Sequence, residues 1–255
     1  MRTSMQIDFI TSALLPQGKQ LWHTAFGDSP EFIENFFTTA YALERSRCIT
    51  EDGPLAAALY WLDAQFEGQK LAYLYAVATH PDFRNRGLCR RLMADTHDLL
   101  KKKGYSAAAL LPAEKELREM YAKMGYRNCC TSREFTAEAG QPLPIRAIGQ
   151  AEFTALRRNF LPKGGVIQEG PSLAYLETYA QFYAGEDFLL TASPYNGRLN
   201  GIELLGNAHA APGILAALGF ETGTFRTPGK DIPTVMLLPL QKGAKFPGYW
   251  GFVFD

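Results

Sequence analysis

The sequence has no excess of charge of either sign. Its 255 residues include 26 Lys or Arg and 26 Asp or Glu, so the formal net charge is zero. A net charge of zero argues against electrostatic binding of nucleic acid or of an anionic membrane over a broad surface, and we expect neither as a partner. Any anion-binding site must therefore be local.

Long apolar runs are lacking as well. No segment approaches the roughly 18 apolar residues of a membrane-spanning helix, and the first ten residues contain no apolar stretch typical of a signal peptide. The composition, with 47% hydrophobic and 20% charged residues, is that of an ordinary globular protein. We expect a cytoplasmic protein and exclude disordered and fibrous chains.

Cysteine is scarce. The four cysteines are Cys48, Cys89, Cys129 and Cys130, and none lies in a C-x-x-C or Cys/His spacing that would build a zinc site. The adjacent Cys129 and Cys130 are poorly placed for a structural disulfide. We interpret all four as reduced, small apolar residues and predict no metal site.

The length allows one large domain or two smaller ones, at about 150 residues per domain. The segment 137–144 reads Ala-Glu-Ala-Gly-Gln-Pro-Leu-Pro and is the most linker-like stretch of the chain. We therefore predict a first domain over residues 1–139 and a second over residues 140–255.

Hydrophobic periodicity and turn residues predict the elements of both domains. In the first domain, Ser29 and Pro30 indicate a helix start. Strands are predicted at 5–11, 46–51, 54–65, 69–79, 107–111 and 126–136, and further helices begin near Leu88 and Glu114. In the second domain, helices are predicted at 150–161 and 172–184, a hairpin at 188–205 around Asn196-Gly197, a helix ending at Leu218, and strands at 234–238 and 250–254.

One motif suggests chemistry. A strand runs into His80-Pro81, and Arg84-x-x-Gly87-x-Cys89 then opens a helix. A helix N-terminus presents unpaired N–H groups and positive partial charge, which suits a phosphate, and a glycine lets a ligand approach the backbone. Neither G-x-G-x-x-G nor a Walker loop is present. The alternative is an ordinary strand-to-helix turn with an exposed basic face and no cofactor.

The sequence around this motif resembles the GNAT superfamily of acyl-CoA N-acyltransferases. Residues 71–89, LAYLYAVATHPDFRNRGLC, resemble its central strand and its Q/R-x-x-G-x-G/A pyrophosphate loop. Residues 121–126, YAKMGY, resemble its Tyr-x-x-x-Gly-aromatic motif. The resemblance covers roughly residues 5–136. It implies an α+β fold with a mixed, mostly antiparallel sheet flanked by helices, acetyl-CoA as co-substrate, and a primary amine of a small molecule or peptide as acceptor.

The resemblance also implies roles for individual residues. Backbone groups of Val77 and Thr79 would pair with the pantetheine arm, and the hydroxyl of Tyr121 would protonate the departing CoA thiolate. A thiol has a pKa near about 8.5 and a phenol near about 10, so a positioned tyrosine can donate to it. The residues that would surround the pyrophosphate are Arg84, Asn85, Arg86, Gly87, Leu88 and Cys89.

Several alternatives stay open at this stage. Tyr121 lies on an apolar helical stripe and can be a core residue, in which case the chain is a non-catalytic acyl-CoA binding or sensing protein. Cys89 stands where the superfamily usually has Gly or Ala, and a thiol at a helix start can be activated. Glu114 stands where many members have Asn. No general base is assigned among Asp28, Glu31, Glu34, Asp63, His80 and the terminal Asp255.

The second half resembles a degenerate repeat of the first. At an offset of 94 residues, Leu110-Leu111 matches Leu204-Leu205, and Gly125 matches Gly219. Leu215 then stands in place of Tyr121, and no Arg-x-x-Gly loop precedes it. We predict tandem GNAT folds, the second of them degenerate and catalytically empty. A homodimer is left open.

Overall fold

The computed structural model describes residues 4–254, which form two compact units. The first takes the chain up to Leu110 together with Glu119–Tyr126 and Leu237–Lys245. The second takes Leu111–Arg118, Arg127–Met236 and the chain from Phe246. The chain therefore does not divide at a single point. The boundary predicted between residues 139 and 140 lies inside the second unit, because the strands on either side of it belong to the same sheet.

The described residues contain seven α-helices and fourteen strands. The helices are α1 (Leu15–Phe26), α2 (Pro30–Thr39), α3 (Leu88–Lys102), α4 (Lys115–Ala122), α5 (Gln150–Phe160), α6 (Pro171–Leu176) and α7 (Ala211–Leu218). The strands are β1 (Met5–Asp8), β2 (Ser46–Glu51), β3 (Leu55–Phe66), β4 (Gln69–Thr79), β5 (Ala107–Leu110), β6 (Arg127–Asn128), β7 (Thr131–Glu138), β8 (Arg146–Ile148), β9 (Gln181–Ala184), β10 (Phe188–Tyr195), β11 (Arg198–Gly206), β12 (Thr222–Pro228), β13 (Ile232–Pro233) and β14 (Met236–Pro239). Within residues 4–254, none of the helices combines the length with the apolar composition that a membrane span requires.

The strands form two sheets with the same plan. The first has the order β1-β2-β3-β4-β5-β14-β6, and the second has the order β8-β9-β10-β11-β12-β7-β13. In each sheet an antiparallel meander is followed by one parallel pair, β4 with β5 and β11 with β12. The first sheet also takes β14 from near the end of the chain, and the second takes β7, which lies in the predicted first domain. The predicted α+β class with mostly antiparallel sheets is confirmed.

Local signals explain the helices that flank the first sheet. The side chain of Ser29 accepts a hydrogen bond from the N–H of Phe32 at 3.2 Å, and Pro30 occupies the first turn of α2, as predicted. Helix α3 buries Leu88, Leu92, Met93, Thr96 and Leu100 on one face. Burial of each large apolar side chain contributes about 1.5–3 kcal/mol, so α3 is held by packing as well as by its own hydrogen bonds.

Three predicted elements were wrong. The strand predicted at 126–136 is two strands, which break at Cys129 and Cys130. The helix predicted at 172–184 ends at Leu176, and Gln181–Ala184 is instead the strand β9, paired with β10. The segment predicted as a strand at 250–254 is irregular. In the first two cases, pairing within a sheet overrides local propensity.

The internal repeat is present, but its predicted register was wrong. Strand β11 pairs antiparallel with β10 and parallel with β12, as β4 pairs with β3 and β5. Helix α7 joins β11 to β12, as α3 joins β4 to β5. The counterpart of α7 is therefore α3, and Leu215 is a core residue of α7 rather than a replacement for Tyr121.

A buried ion pair lies in the core of the second unit. The guanidinium of Arg157 donates two hydrogen bonds to the carboxylate of Glu203, at 2.8 and 2.9 Å, and both side chains are almost wholly buried. The hydroxyl of Tyr249 donates to the same carboxylate at 3.0 Å. Gly251 lies against the pair, because a Cβ at this residue would overlap both charged groups.

Replacement of Gly251 by Ala tests this packing. Disruption of a buried ion pair destabilises a protein by roughly 3 kcal/mol or more, so Gly251→Ala should lower the midpoint of urea unfolding followed by tryptophan fluorescence. Gly248→Ala is the matched control, since a Cβ at residue 248 meets no atom within 4 Å. Equal midpoints for the two variants would contradict the account.

Candidate functional site

The central strand β4 has two partners along only part of its length. Its antiparallel pairing with β3 extends from Gln69 to Thr79. Its parallel pairing with β5 covers only Leu71 to Tyr73. Within residues 4–254, no strand pairs with that side of β4 beyond Tyr73. The two parallel strands therefore part at the carboxyl end of β4 and leave backbone groups of β4 without a strand partner.

A β-bulge lies in the stretch of β4 that β5 does not pair. Tyr60 faces Tyr75 and Ala58 faces Ala78, so three steps along β4 oppose two along β3. Ala76 has a φ of +48°, a left-handed conformation that is strained for a residue with a side chain. A bulge interrupts the ladder and turns the backbone. It lies at Ala76 and Val77, next to one of the two strand residues that the resemblance assigned to the pantetheine arm.

The loop after β4 is shaped by left-handed residues. The imidazole Nδ1 of His80 accepts a hydrogen bond from the N–H of Asp82 at 3.3 Å and caps a short turn. Asn85 and Gly87 then have φ values of +61° and +73°. A Cβ at residue 87 would meet no atom within 4 Å, so the space beside this glycine is open. Glycine is favoured here both by its backbone angle and by the room that it leaves.

Helix α3 begins directly after this glycine. Its N-cap is Gly87, and no side chain caps it. The first N–H groups of a helix have no acceptor within the helix, so those at the start of α3 are free to bind an anion. Among the assigned loop residues, Leu88 is buried and Cys89 half-buried, while Arg84, Asn85, Arg86 and Gly87 are exposed.

The arginines of the loop are partly engaged. The Nε of Arg84 donates to the carbonyl of Thr79 at 3.3 Å. Arg86 forms an ion pair with Glu51 at 3.2 Å and donates a hydrogen bond to the carbonyl of Asp82 at 3.0 Å. Its guanidinium also lies over the ring of Phe83. These contacts tie the loop to β2 and β4. Glu51 could not be predicted from the sequence, since nothing in the local sequence links it to a loop 35 residues away.

Cys89 is not an activated thiol. Burial raises its pKa above the ordinary value, although a helix N-terminus on its own lowers a thiol pKa. The thiol is therefore protonated at neutral pH. The alternative of a catalytic cysteine loses its physical basis.

Tyr121 is buried in the same region. It is 6% exposed, its ring contacts that of Tyr126 edge-on at 5.7 Å, and it interacts electrostatically with Cys89. Burial, with Cys89 as a smaller cause, raises its pKa well above the usual phenol value. Its hydroxyl has no hydrogen-bond partner among the described residues. The structure thus brings Tyr121 and Cys89 together and keeps the phenol protonated.

A second buried pair supports Tyr121. The hydroxyl of Tyr126 and Nε2 of His97 form a hydrogen bond at 2.7 Å. Burial lowers the pKa of His97 to about 4, so its imidazole is neutral at physiological pH. Tyr126 is fully buried and fixed by this bond. His97 could not be predicted from the sequence, because its role depends on a tyrosine that follows α4.

The acids considered as general bases are mostly engaged elsewhere. Asp28 accepts a hydrogen bond from Trp22 at 2.7 Å, and Asp63 accepts one from Tyr105. Glu34 forms an ion pair with Lys19. His80 caps the loop, Glu31 lies exposed in the first turn of α2, and Asp255 lies outside the described residues. Glu114 precedes α4, and its carbonyl accepts a hydrogen bond from the N–H of Arg118.

Over residues 4–254, no cluster of His, Cys, Asp and Glu could hold a metal ion.

Comparison with known families identifies the first part of the chain. The family model described as "Acetyltransferase (GNAT) domain" matches residues 6–129. The chain carries a GNAT domain. This match covers both the pyrophosphate-loop motif and the Tyr-x-x-x-Gly-Tyr motif, and it confirms the resemblance. A comparison with curated proteins gave no match.

Solved structures show the same fold over nearly the whole chain. A probable N-acyltransferase of Enterococcus faecalis V583 is 16% identical, with a TM-score of 0.69 over 93% of this chain and 73% of that one. A GCN5-related N-acetyltransferase of Anabaena variabilis is 15% identical, with a TM-score of 0.71 over 93% and 73%. A tandem GNAT protein from the clavulanic acid biosynthesis pathway is 11% identical, with a TM-score of 0.60 over 94% and 100%. The predicted tandem GNAT fold is confirmed.

The protonated state of Cys89 in the GNAT domain can be tested by alkylation. Since burial raises the pKa of this thiol, iodoacetamide should modify it slowly at neutral pH and faster as the pH passes the ordinary thiol value of about 8.5. Peptide mass mapping of the native protein across a pH series measures the rate, with Cys89→Ser as the blank. Rapid modification that is already complete below neutral pH would instead indicate an activated thiol.

Proposed function

We propose that the protein transfers an acetyl group from acetyl-CoA to a primary amine of a small molecule or peptide. The GNAT domain supports acyl transfer in general. The observation that carries the proposal is the parting of β4 from β5 beside a bulge, directly before an uncapped helix start. This arrangement offers backbone groups to an extended arm and N–H groups to a phosphate at one end of the sheet.

In this proposal acetyl-CoA lies along β4 and ends at α3. Backbone groups of Val77 and Thr79 pair with the pantetheine arm. The N–H groups at the start of α3 bind the pyrophosphate, where positive partial charge stabilises an anion. Arg84 and Arg86 add charge at the loop. Arg84 would first release the carbonyl of Thr79, which it holds in this structure.

The reaction would proceed by direct attack in a ternary complex. The amine lone pair attacks the thioester carbonyl, and a backbone N–H at the bulge polarises the carbonyl oxygen. The nitrogen of the tetrahedral intermediate loses a proton to water, and the intermediate then expels the CoA thiolate. Holding both reactants in one complex makes the attack effectively unimolecular.

Tyr121 would assist departure of the thiolate. Its raised pKa keeps its hydroxyl protonated at working pH, and the hydroxyl has no competing partner among residues 4–254. The same raised pKa makes full proton transfer to sulfur more uphill than for an ordinary phenol. The main contribution of Tyr121 is therefore a hydrogen bond to the developing thiolate, with the proton following as the sulfur leaves.

We assign catalysis to the N-terminal domain predicted over residues 1–139 and none to the domain predicted over 140–255. In the second sheet, β11 and β12 also part next to a bulge, at Gly201 and Ile202. There, however, the hydroxyl of Thr227 donates to the carbonyl of Leu204 at 2.7 Å. The start of α7 contains Pro212, which lacks an N–H. The second unit therefore satisfies groups that the first leaves open.

The alternative is a non-catalytic acyl-CoA binding or sensing protein. In this alternative Tyr121 serves only as a core residue, and its deep burial, at 6% exposure, is what a core residue would show. The two functions share the binding loop and differ in whether the Tyr121 hydroxyl takes part in a reaction.

The location in the cytoplasm and a homodimer stay predictions.

Turnover separates the two functions. Thiol release from acetyl-CoA is measured with a panel of primary amines. Tyr121→Phe should lower turnover by about 100-fold or more, the range for loss of one hydrogen bond to a developing charge, while acetyl-CoA binding measured by calorimetry is kept. Tyr195→Phe is the control, since Tyr195 is exposed and should behave as wild type. Tight acetyl-CoA binding without turnover on any amine would favour the sensor.

The binding arm of the test uses the loop glycine. Gly87→Glu places a carboxylate at the proposed pyrophosphate site and should abolish acetyl-CoA binding. Gly68→Glu is a matched control, because Gly68 also has a positive φ, +76°, and open space around its Cβ. If both variants bind acetyl-CoA as the wild type does, the loop is an ordinary basic turn without a cofactor.

A further inference from the structure

Cys129 and Cys130 form a dithiol in the second unit. They lie between β6 and β7, and successive side chains of an extended chain normally point to opposite faces. Here the N–H groups of both residues donate to one carbonyl, that of Val235, at 3.1 and 3.4 Å. Two residues opposing one is the pattern of a β-bulge. Because the alternation is broken at this point, the two Sγ atoms lie 3.1 Å apart.

The two thiols have different surroundings. Cys130 is wholly buried, and its Sγ donates to the carbonyl of Pro247 at 3.5 Å. Cys129 is half-buried, with its Sγ 3.4 Å from the carbonyl of Val235. The hydrogen bond with Cys129 and burial both raise the pKa of Cys130. A reagent would therefore reach the pair through Cys129, while Cys130 keeps its proton until both sulfurs are engaged.

A disulfide between these residues fits poorly. The Cα atoms of neighbouring residues are about 3.8 Å apart across a trans peptide, below the roughly 4.4–6.8 Å that disulfides span. Such a bond would be strained and easily reduced. The reduced dithiol is the favoured state of the pair.

The separation of the sulfurs instead fits one bound atom of particular geometry. An atom about 2.3 Å from each sulfur, the length of a zinc–thiolate bond, would subtend an angle of about 85° with sulfurs 3.1 Å apart. A tetrahedral zinc ion would require sulfurs about 3.8 Å apart, and a linear ion would require more. An angle near 90° is that of a pyramidal trivalent arsenic centre.

We propose that Cys129 and Cys130 form a chelating site for trivalent arsenicals. With phenylarsine oxide as probe, the arsenic–oxygen bond breaks and two arsenic–sulfur bonds form. The two thiol protons leave with the oxygen as one water molecule. Arsenic stays trivalent, so no oxidant or reductant is needed. The site is independent of acyl transfer.

Intact-protein mass spectrometry of the native full-length protein with phenylarsine oxide tests the proposal. The wild type should retain one phenylarsine per chain in the presence of excess 2-mercaptoethanol and lose it to the dithiol 2,3-dimercaptopropanol, since only a chelate resists a monothiol. Cys129→Ser and Cys130→Ser should each lose the retained adduct. Cys89→Ser, which also removes one thiol, should keep it.

Circular dichroism establishes that each variant is folded, and the half-buried position of Cys129 makes Cys129→Ser the milder change. An adduct that survives in folded Cys129→Ser, or a wild type that forms none, would overturn the proposal. So would a purified protein whose mass is two hydrogens lower and which binds the arsenical only after reduction, because the resting state would then be the disulfide.

Discussion

The site depends on the incomplete pairing of β4. The strand is held by β3 along its whole length and by β5 over only three residues. Backbone N–H and C=O groups require partners, and those on the open side of β4 have no strand to supply them. The bulge at Ala76 adds to the effect, because it turns backbone groups out of the ladder at a strained left-handed residue. The pairing with β3 holds this conformation in place.

The remaining parts of the site follow from this opening. The loop after β4 begins where β5 is no longer paired, and its left-handed residues Asn85 and Gly87 turn the chain into α3. Beneath the start of α3, Cys89, Tyr121 and Tyr126 form a buried group that His97 anchors through Tyr126. Because neither phenol ionises at neutral pH, this group is uncharged. The proposed acid is thus kept protonated by the same burial that fixes its position.

The second sheet has the same plan as the first but differs beside the end of its central strand. It has the same strand order, the same parallel pair and a bulge in the equivalent strand. Its loop lacks the arginines, the hydroxyl of Thr227 binds the carbonyl of Leu204, and the segment around Leu143 packs against Gly213 in α7. The core around Glu203 is filled by an ion pair instead. After the central strand, the first copy therefore has an arginine-bearing loop and an uncapped helix start, and the second has Pro212 in the first turn of its helix.

Sequence signals located the elements whose cause is local. The cap at Ser29, the Asn196-Gly197 turn and the glycine at residue 87 each act within a few residues, and the bounds of β2 and β4 were predicted correctly. The bulge at Ala76 gave no signal, because alanine has no preference for a left-handed backbone. The exchange of β7 and β14 between the sheets also gave none, since it results from pairing between strands far apart in sequence. Glu51 and His97 were missed for the same reason: their partners lie on other elements.

The role of the open end of β4 is tested most directly by hydrogen–deuterium exchange with and without saturating acetyl-CoA, resolved by peptide. Amide exchange reports local protection of backbone N–H groups. The account predicts slower exchange in peptides covering residues 74–79 and 84–91, and unchanged exchange in those covering 201–213. Unchanged exchange at 74–91, or slowing confined to 201–213, would contradict it.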